Sequence, residues 1–223
     1  LLQDVRARGE AAVVQVTVER DGVDPRPIRV EAAELEAALA SLDPNLKTAI
    51  QTSIHRVRAV SEATLPTAVT VELAEGAKVH QRWVPVDSVG LYVPGGKAVY
   101  PSSVIMNVVP AQAAGVPRLA VATPAQKEFG GRPHPTVLAT AAMLGVTDVY
   151  CMGGPAAIAA FAYGLPEVGL EPVNLVTGPG NIYVAAAKRA LRGTIGIDSE
   201  AGTTEILVIA DDSADARFIA YDL

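Results

Sequence analysis

The chain of 223 residues carries a net charge of −6 at neutral pH, and 19% of its residues are charged. This acidic balance, without a cluster of Lys and Arg, excludes a basic surface for nucleic acid and leaves small molecules and other proteins as partners. The single cysteine, Cys151, lies in the apolar run "VYCMGG" and cannot build a disulfide framework, so we expect a reduced, buried thiol in a cytoplasmic protein.

Two uncharged segments, residues 98–117 and 149–166, are long enough to raise the question of a membrane span. Both are interrupted by proline and by glycine or polar residues, whereas a spanning helix needs about 20 continuous apolar residues. We therefore expect no membrane contact, and we interpret both segments as buried layers of a folded domain.

The N-terminal region has helical patterns followed by a hairpin pattern. Residues 1–64 contain three helical segments, and in the third Asp43 is a predicted N-cap with Pro44 at the first helical position. The runs "AVTVEL" and "AKVHQRWVPV" then alternate with period two around Glu75-Gly76, which predicts a β-hairpin. We predict that residues 1–88 form a helical arm and hairpin belonging to a first, incomplete lobe.

From residue 89 onward, short apolar strands alternate with helical segments. The predicted strands are "SVGLYV", "RLAVAT", "DVYCMG", "VNLVTG" and "EILVIA". The predicted helices between them are "SSVIMNVVPAQAAG", "PTVLATAAMLG", "PAAIAAFAYG" and "NIYVAAAKRAL". Such βαβ units predict an α/β fold, a Rossmann-like, mostly parallel sheet with helices on both faces, over residues 89–203. Residues 204–223 are predicted to return to the first lobe as a strand and a truncated helix.

Three predicted strand ends carry glycine, in "VPGGK" (93–97), "MGGPAA" (152–157) and "TGPGN" (177–181). Ligands of open α/β sheets bind beyond the carboxyl ends of the strands, so we predict one shared crevice. The residues expected to converge there are Tyr92, Gly153, Gly154, Gly180 and Asn181. The ring of Tyr92 could cover a nicotinamide or adenine, or it could belong to the core.

The turn "GPGN" (178–181) joins a predicted strand to a predicted helix. Its glycines would let a ligand approach the backbone, and the N–H groups that open the helix favour an anionic group such as a nucleotide phosphate. The alternative is a tight connection without a ligand. Gly178, Gly180 and Tyr183 match only two of the three glycines of the standard dinucleotide fingerprint.

The other polar candidates have competing explanations. His55, His80 and His134 share no metal-ligand spacing, so we predict packed or solvated histidines and no metal site in this chain. Glu200 and Glu205 flank "AGTT", and Asp198 precedes them. These carboxylates either bind ligand hydroxyls or are solvated. The hydroxyls of Thr203 and Thr204 are better placed to hydrogen-bond a polar substrate.

Three long motifs resemble the histidinol dehydrogenase family, in its actinobacterial version, and the resemblance extends from Leu1 to Leu223. They are "WVPVDSVGLYVPGGKAVYPSSVIMNVVPAQAAGV", "TGPGNIYVAAAKR" and "GIDSEAGTTEILVIAD". The resemblance implies oxidation of L-histidinol through L-histidinaldehyde to L-histidine, in two NAD-dependent steps, with zinc, by a cytoplasmic homodimer.

The resemblance also assigns roles residue by residue. Tyr92 and Asn181 match family residues that contact NAD, and Thr204 takes the place of a Ser or Thr that binds substrate. Ala156, in "GGPAAI", stands where family members usually have a glutamine that binds NAD; losing that amide would cost ~1 kcal/mol or more. Thr203 replaces a usual proline.

The family's zinc ligands and catalytic Glu-His pair would all follow Leu223, so this chain is expected to hold no catalytic and no metal-binding residue and to be inactive alone. A start without methionine and a stop at "FIAYDL" also suggest two cut ends. Two alternatives remain: a dehydrogenase of another polar alcohol, such as a sulfonated diol, and a non-catalytic paralogue or assembly fragment.

Overall fold

The computed structural model describes residues 1–95, 98–200 and 206–222. The helices, in chain order, are α1 (Leu2–Arg8), α2 (Glu10–Asp21), α3 (Ala32–Ala40), α4 (Pro44–Ala63), α5 (Pro101–Ala113), α6 (Pro135–Met143), α7 (Gly154–Tyr163), α8 (Ile182–Leu191) and α9 (Ala216–Asp222). The strands are β1 (Val69–Ala74), β2 (Ala77–Gln81), β3 (Ser88–Tyr92), β4 (Arg118–Thr123), β5 (Asp148–Cys151), β6 (Leu175–Thr177) and β7 (Gly196–Ile197).

Among the described residues, five strands form one parallel sheet with the order β5-β4-β3-β6-β7. The chain starts at the centre with β3, adds β4 and β5 on one side, and then crosses over to add β6 and β7 on the other. The direction of winding therefore reverses between β3 and β6, which is the switch point of a doubly wound sheet. The predicted α/β fold, with a Rossmann-like parallel sheet, is confirmed.

Helices cover both faces of this sheet, and the N-terminal helices form an outer layer on them. On one face, α1 and α2 pack on α7, and Val5 and Val13 share a core with the fully buried Phe161. On the other face, α3 packs on α6 and α4 packs on α5. Leu35 and Ile50 belong to a second hydrophobic core on this face. A boundary at residue 88 would therefore divide segments that share their hydrophobic cores, and the division into residues 1–88, 89–203 and 204–223 stays a prediction.

The local signals in the N-terminal region are confirmed. The side chain of Asp43 caps α4 by accepting hydrogen bonds from the N–H groups of Asn45 and Leu46, at 2.9 and 3.0 Å. Strands β1 and β2 pair in an antiparallel hairpin around the predicted turn. Such caps stabilise a helix by about 1 kcal/mol because they satisfy N–H groups that have no partner in the first turn.

Two elements at the C-terminal end of the described chain differ from prediction. The two-residue strand β7 was not predicted, and the strand "EILVIA" is not formed over its described residues, 206–210. Leu207 and Ile209 are 85% and 90% exposed there. A strand needs a neighbour for its backbone hydrogen bonds, and residues 206–210 are paired with no part of the described sheet. The predicted C-terminal helix is present as α9.

Candidate functional site

A crevice of about 600 Å³ lies at the carboxyl end of the sheet, at the switch point between β3 and β6. One wall comes from the strand ends and the helices that follow them, and it includes Tyr92, Gly95, Pro124, Gly153, Gly154, Pro155, Ala156, Asn181 and Tyr183. We call this cavity the switch-point crevice. It brings together four of the five residues predicted to converge, and the fifth, Gly180, precedes Asn181 directly.

The opposite wall comes from α1 and α2. Its polar residues include Gln15, Glu19, Arg20 and Asp21. Burial raises the pKa of the Asp21 carboxyl above its ordinary value. This wall was not predicted, because residues 1–88 were expected to belong to another lobe. The only available signal was the helical pattern itself, which does not tell where a helix docks.

Tyr92 ends β3 and belongs both to the core and to the crevice. Its side chain is 5% exposed, and its hydroxyl accepts a hydrogen bond from the N–H of Gly154 at 3.1 Å. Burial is the main cause that raises the pKa of the Tyr92 phenol, so the group is neutral at pH 7. This hydrogen bond fixes the start of α7 against the end of β3.

The start of α7 is open towards the crevice. Its N-cap, Gly153, provides no side-chain cap, and a Cβ added there would lie 2.6 Å from Cβ of Pro124. Gly154 has φ of +58°, and a Cβ added to it would meet nothing within 4 Å. A glycine pair thus lets α7 begin close to the β4 loop and leaves space beside its first turn. The Gly154 N–H is bonded to Tyr92 and Pro155 has none, so among the first three residues of α7 the N–H of Ala156 is the one left to bind an anion.

The turn 178–181 is explained by contacts on both of its sides. Gly178 has φ of +118°, and a Cβ added there would lie 2.0 Å from the carbonyl oxygen of Tyr92, so only glycine fits. Asn181 caps α8, because its side-chain oxygen accepts from the N–H groups of Tyr183 and Val184 at 3.0 and 3.1 Å. The turn is therefore a tight connection, and the cap does not use the NH₂ group of Asn181.

Beside this turn the buried Lys188 pairs with Asp198, whose side chain is 33% exposed, and this ion pair was not predicted. Lys188 is 4% exposed, and its Nζ donates to the Gly178 carbonyl and to Oδ1 of Asp198, the latter at 2.7 Å. The signal was present in the sequence, since Lys188 lies on the same face of α8 as Val184 and Leu191, at helical spacing.

The three histidines have ordinary structural surroundings. His134 caps α6 by accepting from the N–H of Thr136 at 3.1 Å, and burial lowers its pKa. His80 shares a hydrogen bond with Thr70, and His55 lies on α4. Over residues 1–95, 98–200 and 206–222, no group of three or more His, Cys, Asp and Glu side chains could hold a metal ion.

The predicted carboxylates separate into different roles. Asp198 contacts Lys188, whereas Glu200 pairs with Arg189 at 2.7 Å and with Arg192 at 3.5 Å on the surface of α8. Thr203, Thr204 and Glu205 lie outside the described residues.

Cys151 is buried at the end of β5, and its thiol contacts the Gly131 carbonyl at 3.2 Å. Burial is the main cause that raises the thiol pKa to about 12. We expect Cys151 to react with a disulfide reagent at pH 8 at least ~100-fold more slowly in the native chain than in guanidinium, because a buried thiol must become both ionised and accessible. The measurement is the rate of aryl-thiolate release. Equal rates in the two solvents would contradict this environment.

The same shift predicts a pH dependence of stability. Because the folded thiol has a higher pKa than its ordinary value of 9.0, its protonated form is favoured in the folded state. The contribution of the protonated Cys151 thiol to the free energy of unfolding is therefore fully present below pH 9. It is lost as the pH rises from about 9 to about 12.

None of the helices in the described part of the chain is both long and apolar enough to cross a bilayer.

Comparisons with known proteins point to the same family along the whole chain. The family model "Histidinol dehydrogenase" matches residues 1–223. A histidinol dehydrogenase of Leifsonia xyli is 56% identical over 100% of this chain and 51% of its own length. That of Thermobifida fusca is 58% identical over 100% of this chain and 50% of its own.

The crystal structure of histidinol dehydrogenase from Elizabethkingia anophelis matches 99% of this chain and 50% of its own length, with a TM-score of 0.91 and 32% identity. The chain therefore spans about half the length of the curated relatives it matches.

Proposed function

The chain belongs to the histidinol dehydrogenase family, and from that premise we propose that its switch-point crevice holds NAD. We further propose that it supplies the cofactor-binding half of an enzyme that oxidises L-histidinol through L-histidinaldehyde to L-histidine. The observation that carries the proposal is the convergence of Tyr92, Gly154 and Asn181 on one crevice at the switch point of a parallel sheet.

The residues present fit a dinucleotide. The crevice is of the size that small-molecule sites have, roughly 300–1,000 Å³. The glycine pair at the start of α7 leaves space beside the first turn, where the Ala156 N–H and the positive end of the helix suit a pyrophosphate or another anionic group. Tyr92 offers a neutral, hydrogen-bonded ring, and Asn181 offers the NH₂ group that its capping role does not use.

When bound, NAD supplies the acceptor for the hydride that leaves the alcohol carbon. The chain's own residues would bind and orient it: Asn181 by hydrogen bonding, Tyr92 by ring contact, and Ala156 by shape alone. Thr204 is proposed to bind the substrate, on the strength of its match to the family motif.

Zinc is the second cofactor that the family implies, and the described residues do not fit it, since they contain no cluster able to hold a metal ion. We propose that zinc is held by residues outside them, and no step is assigned to it. A homodimer and a cytoplasmic location are proposed on family membership alone. A sulfonated-diol dehydrogenase and a non-catalytic paralogue are not favoured, because the relatives are named histidinol dehydrogenases.

Replacing Ala156 with glutamine should strengthen NAD binding. Ala156 is 1% exposed but borders the crevice in the first turn of α7, and an amide at this position that reaches the crevice would add one hydrogen bond. One such bond is worth ~1 kcal/mol, which corresponds to a dissociation constant about five-fold lower. Calorimetric titration of NAD⁺ measures this change. Ala156→Leu is the control, since it adds similar volume without a polar group; if it strengthens binding equally, the amide has no role.

The proposed cofactor is tested by the same titration on the unmodified chain and on Asn181→Asp. The aspartate keeps an oxygen to cap α8 but loses the NH₂ donor and adds a negative charge near the nucleotide. We expect saturable 1:1 binding to the unmodified chain and at least ~10-fold weaker binding to the variant. Absence of binding to the unmodified chain at millimolar NAD⁺ would refute the proposal.

A further inference from the structure

The Lys188–Asp198 pair holds both polar atoms of one residue in the turn after β6. The Nζ of Lys188 donates to the Gly178 carbonyl, and Oδ2 of Asp198 accepts from the Gly178 N–H at 3.0 Å. The two side chains are joined to each other at 2.7 Å through Asp198 Oδ1. A closed ring of hydrogen bonds therefore fixes the peptide groups on both sides of the Gly178 Cα.

Gly178 is the residue at which the turn meets β3. Its Cα approaches the backbone of Tyr92 so closely that a Cβ would lie 2.0 Å from the Tyr92 carbonyl oxygen. Three residues later Asn181 caps α8 and lines the switch-point crevice. Any rotation of the Gly178 peptides would thus displace Asn181 relative to Tyr92.

The pair also joins three consecutive elements of the chain. Lys188 lies on α8, Gly178 follows β6, and Asp198 follows β7, where its N–H donates to the Val176 carbonyl at 3.2 Å. Oδ1 of Asp198 further accepts from the N–H of Ser199 at 2.7 Å. Lys188 is buried, whereas the Asp198 side chain is 33% exposed, so the pair costs mainly the hydration of the ammonium group. An apolar residue of similar volume at position 188 would avoid that cost. Stability alone therefore does not explain why a lysine occupies this buried position.

We propose that Lys188 and Asp198 are positioning residues, which hold the turn 178–181 in the shape that presents Asn181 to NAD. Neither side chain lines the switch-point crevice, so both act through Gly178. Their effect on NAD rests on the proposed function, whereas their effect on the turn does not.

The test compares two variants of the full chain with a matched control. Lys188→Met removes the charge and the donor while keeping an unbranched side chain. Asp198→Asn is the milder change, since an amide cannot accept at both of its positions and either Gly178 or Lys188 loses its partner. The control is Arg189→Gln, which removes a positive charge from the next residue of α8, where the side chain is exposed and its ion pair contributes little.

Two readouts separate positioning from general stability. Hydrogen exchange of peptides covering 178–184 is compared with that of peptides covering β4, in the absence of NAD. We expect at least ~10-fold faster exchange over 178–184 in both variants, with β4 unchanged, and no change in the control. The dissociation constant for NAD⁺, measured well below each melting temperature, should rise at least ~10-fold in both variants and stay within about two-fold in the control.

Unchanged exchange over 178–184 in a folded variant would overturn the proposal, and so would NAD⁺ affinity that equals that of the unmodified chain. If Lys188→Met does not fold, Asp198→Asn decides by the same criteria. If the unmodified chain does not bind NAD⁺, the proposed cofactor fails, and the exchange data alone decide whether the pair positions the turn.

Discussion

Replacing Gly178 with alanine is expected to destabilise the chain by about 3 kcal/mol or more, and to abolish NAD binding. Two costs combine at this position. The φ of +118° is unfavourable for any L-residue, and the added Cβ would lie 2.0 Å from the Tyr92 carbonyl oxygen, a backbone atom that cannot rotate away. The chain must therefore separate the turn from β3, which opens the switch-point crevice.

Gly193→Ala is the matched control for this change. Gly193 has φ of +94°, but a Cβ there would meet nothing within 4 Å, so only the backbone cost applies, about 1–2 kcal/mol. Denaturant unfolding of both variants measures the difference. Equal losses of stability would mean that the close approach of Gly178 to Tyr92 does not exist in solution.

The isolated chain of 223 residues is expected to produce no NADH from L-histidinol, with or without added zinc. A catalytic zinc needs about three protein ligands, and the described residues offer no such cluster. The chain also spans about half the length of its relatives.

Turnover should appear when residues 1–223 are joined to the remaining half of the Thermobifida fusca enzyme, which is 58% identical over the shared region. The measurement is NADH absorbance with histidinol, NAD⁺ and zinc. The same fusion carrying Gly178→Ala is the control, and it should be inactive. Turnover proportional to the concentration of the isolated chain would show that the catalytic groups lie within it.

The sheet and its covering helices could be predicted because their signals are local. Short apolar strands alternate with helical segments, and Asp43-Pro44 marks a helix start through contacts within four residues. The switch-point crevice could be predicted because the carboxyl ends of parallel strands meet at one edge. Glycines at those ends therefore indicate the crevice from the sequence alone.

The features that were missed depend on contacts between distant segments. The wall formed by α1 and α2 arises because these helices dock on α7, and nothing in their own pattern indicates that partner. The wrong prediction of a strand over "EILVIA" has the reverse cause, since an apolar β-branched run favours a strand only where a neighbouring strand accepts it. The contacts of Lys188 join residues ten positions apart, although its spacing from Val184 and Leu191 already places it on the buried face of α8.

NAD binding at the switch-point crevice is tested most directly by amide chemical-shift mapping. NAD⁺ is titrated into the isotopically labelled chain, and shifts are followed by residue. We predict saturable shifts that cluster at Tyr92, Gly153, Gly154 and Asn181, which line the crevice. Shifts that concentrate instead on the depression along β7, lined by residues 192–200, or no saturable shifts at all, would contradict it.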